Sequence, residues 1–256
     1  MSLTLYHGEP NGPSLTVLAA LFESGLDAEL VQIDLAGGER HSRAERSREV
    51  EMSIEGEGPV LVADGEPMAD SVFLAQYLDE AGGGSLQPRD PYARWEMEMW
   101  CRFIIERVAP AAALLGNRAH LTPRLQAMDD AGFDAMVGKI ASADLAARWR
   151  QERAGDYSEA QLADSREKIR LAVQRLEGRI EGDWILGPFT IADLESYAWL
   201  AGMVAIVPEA FVEAPKTRAW LARVHDRESV QQALAQSRTG DPAAAWAPGP
   251  EINRWG

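Results

Sequence analysis

Gly58-Pro59-Val60-Leu61-Val62-Ala63-Asp64-Gly65-Glu66-Pro67-Met68-Ala69-Asp70-Ser71 decides the fold of this chain. Pro59 to Val62 reads as a strand opened by a residue with no N–H to donate. Asp64-Gly65 is the strongest short signal for a hairpin turn. Glu66-Pro67-Met68 returns as a strand whose proline suits a sheet edge. Asp70-Ser71 then caps a helix that carries Phe73, Leu74, Tyr77 and Leu78 on one side.

Upstream, Leu3, Leu5 and His7 alternate as in a strand, and Gly8-Glu9-Pro10-Asn11-Gly12-Pro13 is a turn-rich loop. Ser14 precedes a helix face made of Leu15, Val17, Leu18, Leu21 and Phe22, which Gly25 stops. Leu30 to Leu35 reads as a second strand. A strand, a helix and a strand in succession predict parallel pairing through a right-handed crossover. Residues 36–58 are irregular and charged. The first part of the chain is therefore βαβ, a loop, then ββα, with a mixed four-stranded sheet.

Downstream, Gly82-Gly83-Gly84-Ser85 through Pro88 has the composition of a linker. After Asp90-Pro91 the pattern is almost entirely helical. Trp95, Met99 and Phe103, and Trp100, Ile104 and Val108, recur at i, i+4. Pro110 is expected to kink or end that helix. Residues 111–138 read as helix with breaks, and another long helix runs from about Ser158 to Arg179. A further helix starts at Thr190, and the last clear one holds Trp220, Leu221, Val224 and Val230. From Thr239 a Pro/Ala/Gly tail looks extended, docked by Trp246 and Trp255. The expected organisation is a domain at 1–82, a linker at 83–90 and an all-helical domain with its tail at 91–256.

The 256 residues carry 25 Lys and Arg against 40 Asp and Glu, a net charge of −15, which repels nucleic acid and anionic lipid. Hydrophobic residues at 46% and charged residues at 25% fit a globular chain. The single cysteine, Cys101, excludes an intrachain disulfide and fits a reducing compartment. The first residues, Met1 to His7, show neither a basic region nor a long apolar run, so no signal peptide is expected. No run reaches the ~20 apolar residues of a membrane span. A cytoplasmic location follows as the expectation.

Four places could carry chemistry. Ser14 is an N-cap, or a hydroxyl beside free N–H groups and a helix's positive end, suited to an anion such as a thiolate; the two roles are compatible. Gly58-Pro59, if cis, turns the Gly58 N–H and C=O outward to pair with a peptide-like ligand. At Asp70-Ser71, capping competes with a role in which Ser71 holds a carboxylate and Asp70 an ammonium. Thr190-Ile191-Ala192-Asp193 has capping-box spacing and is read as structural. GxGxxG, P-loop, CxxC, HExxH and GxSxG patterns are all missing from the sequence, and the four histidines have no metal-binding spacing. Cys101, on an apolar stripe, is core rather than nucleophile.

Together these residues resemble the cytosolic glutathione transferase superfamily over about 240 residues. The carriers are the βαβ–ββα order, the proline opening strand three, the Asp70-Ser71 pair, the linker, and the stretches Gly187 to Asp193 and Pro215 to Val230. Within it the chain is most similar to the bacterial lignin β-etherase branch, through Leu5-Tyr6 with Ser14-Leu15, Tyr77 to Glu80, Leu86 to Pro91, and Ala201-Gly202-Met203. The resemblance implies a thioredoxin-like α/β domain followed by an all-α domain, with glutathione as co-substrate. It places Ser14, assisted by Asn11, at the thiolate. It places Gly58 and Pro59 at the cysteinyl unit, Asp70 and Ser71 at the γ-glutamyl end, and Arg40 and His41 at the glycyl carboxylate. It implies an apolar pocket for an aromatic electrophile, with Trp100, Ile104 and Val108 as its wall. It also implies a homodimer or a heterodimer with a related chain.

Gly58 stands where a larger apolar residue is common in this family, and Glu55 and Glu57 lie near an anionic tripeptide. These departures keep a second hypothesis open, a weak or silent subunit that pairs with a related chain. A third is another glutathione-dependent reaction: isomerisation, peroxide reduction or dehalogenation.

Overall fold

A computed structural model of the chain describes residues 1–34, 39, 58–243, 246, 249 and 250. Arg40, His41, Glu55, Glu57 and Trp255 lie outside these residues. The described strands are β1 (Leu3–His7), β2 (Glu29–Gln32), β3 (Val60–Ala63) and β4 (Glu66–Ala69), in the sheet order β2-β1-β3-β4. β1 and β2 are parallel, and the other two pairings are antiparallel. The mixed four-stranded sheet is as the sequence pattern required. Asp64 and Gly65 make the hairpin turn with φ of 49° and 88°, the left-handed values that such a turn needs.

Helix α1 (Gly12–Ser24) follows β1, and α2 (Ser71–Ala81) follows β4. The glycine-rich linker is held firmly. The buried Asp79 carboxylate accepts N–H groups from Ser85 and Leu86 at 2.6 and 2.7 Å and the Gln87 side chain at 3.2 Å. Leu86 drops into the core, and its carbonyl accepts Ile191 N–H.

Beyond it, one helical path runs as α3 (Pro91–Phe103), a π turn (Ile104–Val108), α4 (Ala109–Gly116), a second π turn (Asn117–Leu121) and α5 (Thr122–Gln126). The kink expected at Pro110 takes this form. Each π turn ends two residues before a proline, Pro110 or Pro123. A widened turn absorbs the N–H that proline cannot supply and the clash of its ring.

Then come α6 (Asp130–Val137), α7 (Ala143–Ala154) and α8 (Glu159–Arg179). These are followed by α9 (Ile191–Leu200), α10 (Met203–Ile206), a 3₁₀ turn (Pro208–Phe211), α11 (Pro215–His225) and α12 (Glu228–Leu234). Helix α1 packs between α2 on one side and α9 and α12 on the other, so the sheet's first helix is embraced by the helical half.

Two separate cores result. The large one joins Leu5, Leu18, Leu61 and Leu78 to Met97, Ile169, Trp199 and Trp220. A small satellite holds Leu121, Leu125, Phe133, Met136 and Trp149. The box at Thr190 is complete, with Asp193 accepting Thr190 N–H at 3.0 Å. Buried Asp193 also takes Ile185 N–H and the Trp220 indole at 3.1 and 2.8 Å, pinning α9 to α11.

Candidate active site

The sheet register gathers the site. Val60 pairs with Tyr6 on one side and Ala69 on the other. The residues that follow β1, precede β3 and follow β4 therefore emerge at one end of the sheet. These are the loop 8–14, Gly58-Pro59 and Asp70-Ser71. The end of β2 joins them, because Ile33 N–H donates to the His7 carbonyl at 2.7 Å.

Helix α1 begins three residues earlier than the hydrophobic spacing suggests. Asn11 is its N-cap residue and makes no side-chain bond to the first turn, while Gly12 and Pro13 are already helical. Ser14 is thus not the cap but a member of the first turn. Proline at a helix start loses nothing there, because that N–H has no intrahelical acceptor. Gly12 has φ of 48°, and a Cβ on it would meet the Trp199 ring at 3.2 Å, so glycine is required on both counts. The Ser14 hydroxyl is 2% exposed and accepts the Gly8 N–H at 2.9 Å. Accepting fixes the oxygen and leaves its own proton to donate.

His7, buried at the strand end, donates from Nδ1 to the Gly8 carbonyl at 2.7 Å. Burial pushes its pKa down, so the ring is neutral at pH 7. The Gly58–Pro59 bond is cis, with Pro59 buried.

At the start of α2, Asp70 is the N-cap at φ of 82° and accepts Val72 and Phe73 N–H groups at 3.0 and 3.2 Å, both on Oδ1. The capping role is therefore real. A carboxylate has about four acceptor positions, so an ammonium can still be taken. Ser71 is buried as the first helical residue.

The expected electrophile wall is largely covered by the protein itself. Trp100, Ile104 and Val108 are buried at 5%, 1% and 1% exposure. Trp100 donates its indole N–H to Ser196 at 2.8 Å and packs against Phe103 and Arg175. Their i, i+4 stripe faces the seam between helices, and Trp100 also lines a groove beside Trp95, Met99 and Arg175. Cys101 lies on the same buried side, where burial raises its thiol pKa far above neutrality and leaves it inert.

Sequence reasoning missed two acids beside the loop. Glu9 grips the end of the chain: it accepts the Ser237 hydroxyl at 2.6 Å, Arg238 N–H at 2.9 Å and the Gln32 amide at 2.9 Å. Glu195 on α9 lies under the first turns of α1 and α2, fully buried. Neither had a one-dimensional signal, since one looked like loop and the other like a helix-interior charge. The tail docks as expected through Trp246, which is 3% exposed and seated on Gly202, where a Cβ would come within 2.3 Å of the indole. No group of side chains able to hold a metal ion occurs among the described residues.

Known proteins share this arrangement. A family model described as the N-terminal domain of glutathione S-transferase matches residues 1–80. Protein LigF of Sphingobium sp. strain SYK-6 is 27% identical over 254 residues, spanning 94% of this chain and 96% of LigF. The crystal structure of beta-etherase LigF from that strain superimposes with a TM-score of 0.83 at 26% identity, over 93% of this chain and 100% of LigF.

Residues 1–80 match the glutathione S-transferase N-terminal domain, and the likeness to LigF runs over nearly the whole chain.

Proteins named as glutathione transferases are similar to it as well. Glutathione transferase GST 23 of Zea mays is 37% identical over 86 residues, 33% of this chain and 36% of that one. A glutathione transferase homologue from Sulfitobacter, crystallised with bound glutathione, shares the fold with a TM-score of 0.61 at 18% identity, over 90% and 95% of the two chains. No helix among the described residues is long and apolar enough to cross a membrane.

Proposed function

We propose that this glutathione transferase cleaves β-aryl ethers. The glutathione thiolate attacks a carbon α to a ketone, a C–S bond forms, and the C–O bond breaks with its electron pair leaving on a phenolate oxygen. Glutathione is consumed into a thioether. The near full-length likeness to beta-etherase LigF supports this chemistry. The observation that carries it is the convergence of loop 8–14, Gly58-Pro59 and Asp70-Ser71 at one sheet end, with a buried hydroxyl in the first turn of α1.

Each residue then has a task. Ser14 donates its proton to the thiolate and Asn11 assists from the loop. A hydroxyl donor and the α1 dipole favour the anion, and each unit of pKa lowering corresponds to ~1.4 kcal/mol. The protein needs no base of its own. Gly58 pairs its backbone with the cysteinyl unit in strand fashion beside Pro59. Asp70 takes the γ-glutamyl ammonium, and Ser71 with its N–H takes the carboxylate at the start of α2. Arg40 and His41, in the segment between β2 and β3, hold the glycyl carboxylate.

Pairing with a second copy or a related chain has its own support. Phe73 on α2 and Tyr92, Trp95 and Met99 on α3 are exposed together, the two helices being tied by a Gln76–Glu98 hydrogen bond at 3.1 Å. A cytoplasmic site of action accords with the single free cysteine.

Incubating the isolated chain with glutathione and a β-aryl ether ketone tests the reaction. A thioether of glutathione and one equivalent of phenol, seen by mass spectrometry, is the expected result. Bound glutathione without turnover favours the silent subunit. Glutathione recovered unchanged alongside a rearranged substrate favours an isomerase.

A further inference from the structure

Glu195 sits in the middle of α9 with none of its surface exposed, beneath the ends of the two helices that flank the site. Its Oε1 accepts the Trp199 indole N–H at 2.8 Å. The Trp199 ring in turn packs on Gly12, the first residue of α1. Its Oε2 is buried without a hydrogen bond, and so is the Thr16 hydroxyl of α1, which faces the same carboxyl. From α2, the Ser71 hydroxyl and the Asp70 carboxylate bear on it. From α3, the Cys101 thiol feels its charge. A carboxyl in this position touches the supports of both helix starts and the catalytic chemistry of neither.

We propose that Glu195 is a positioning residue for glutathione, a buried carboxyl that ties the first turns of α1 and α2 together and, by holding or losing its proton, sets how strongly those two helix ends bind the tripeptide's anionic groups. Protonated, it is neutral and opposes neither anion. Ionised, it places a negative charge behind the two N-termini that hold the thiolate and the γ-glutamyl carboxylate. In a dry interior that charge opposes both anions. Desolvation, helped by the Asp70 charge, lifts its pKa from the ordinary 4.5 to about 7, against the pull of the Thr16, Trp199 and Ser71 donors. The proton is therefore exchanged within the physiological range. The sign follows: the native state keeps the proton longer than the unfolded chain, so stability falls as pH climbs from about 4.5 to about 7.

The proposal rests on the glutathione reading above, so the test measures glutathione binding rather than ether cleavage. Glutathione is titrated by tryptophan fluorescence from pH 5.5 to 8.5 into the wild type, Glu195→Gln and Thr16→Val. The wild-type Kd should rise several-fold through a single-proton step near pH 7. Glu195→Gln should abolish the step and bind at pH 8 as the wild type does at pH 6. Its thermal midpoint should also fall less steeply over that range than that of the wild type. Thr16→Val, which removes a donor to the ionised form, should move the step to higher pH. A Glu195→Gln profile that follows the wild type overturns the proposal and leaves the glutathione reading intact. Should that variant not fold, an unmoved step in Thr16→Val overturns it equally. A wild type that binds no glutathione at any pH overturns the glutathione reading itself, and the positioning role falls with it.

Discussion

The starts of α1 and α2 stand at the same end of the sheet and are finished in opposite ways. At α2 the helix carries its own anion: Asp70 adopts a left-handed φ and accepts two of the first N–H groups. At α1 the N-cap residue Asn11 makes no side-chain bond to the first turn. The one hydroxyl in that turn, Ser14, is turned back to hold the loop at Gly8. Helix starts prefer a negative partner, which contributes about 0.5–2 kcal/mol. In the proposed function, the negative partner at α1 comes from the ligand. On the proposed reading, the contrast separates an end that recognises a ligand while already capped from an end that receives the glutathione sulfur.

The comparison can be broken most sharply at Ser14. Ser14→Ala removes a charge-assisted hydrogen bond of about 1.5–3 kcal/mol, so kcat/KM should drop about 100-fold. Its melting temperature should move by only a few degrees. Equal losses of turnover and stability would mean that the hydroxyl serves only the Gly8 contact. At the other helix, Asp70→Asn keeps a capping oxygen and discards the charge. KM for glutathione should rise about 10-fold with kcat nearly unchanged, as steady-state kinetics would show. A matched fall in kcat would place Asp70 in the transition state instead.

Asn11→Asp makes the two ends alike. An acid at the α1 cap should stabilise the helix by about 1 kcal/mol and raise the pKa of the bound thiol by about one unit, read from thiolate absorbance against pH. An unshifted thiol would show that sulfur lies away from that helix end. The smallest effect is expected at Glu9→Gln, which weakens the hold on Ser237 and Arg238. Hydrogen exchange of residues 237–243 should quicken several-fold, with stability changing by about 1 kcal/mol or less.

The sheet was readable because its signals are local: alternation in β1, Asp64-Gly65 at the turn, and an acid-serine pair before an apolar run. The start of α1 was misplaced because Gly12-Pro13 looks like loop, and the positive φ of Gly12 and its contact with the Trp199 ring, far away in sequence, appear only in the fold. Helix α7 went unread. Its apolar positions are few, Leu145 and Trp149 among charged residues, and they serve a satellite core that has no meaning until α5 and α6 are packed against it. At the sheet end, the local elements that hold Gly58-Pro59 and Asp70-Ser71, a strand start and a helix cap, were legible from the sequence. Trp100, Ile104 and Val108 were legible only as an apolar stripe, because periodicity reports which face is apolar and not what covers it.

Gly202 carries a consequence for how this chain can diverge. Even a methyl group there would strike the Trp246 indole. An alanine arising at that helix junction would therefore evict an aromatic anchor many residues downstream. Whatever shape the last stretch of polypeptide contributes to substrate choice would be lost in one step, with every residue of that stretch unaltered.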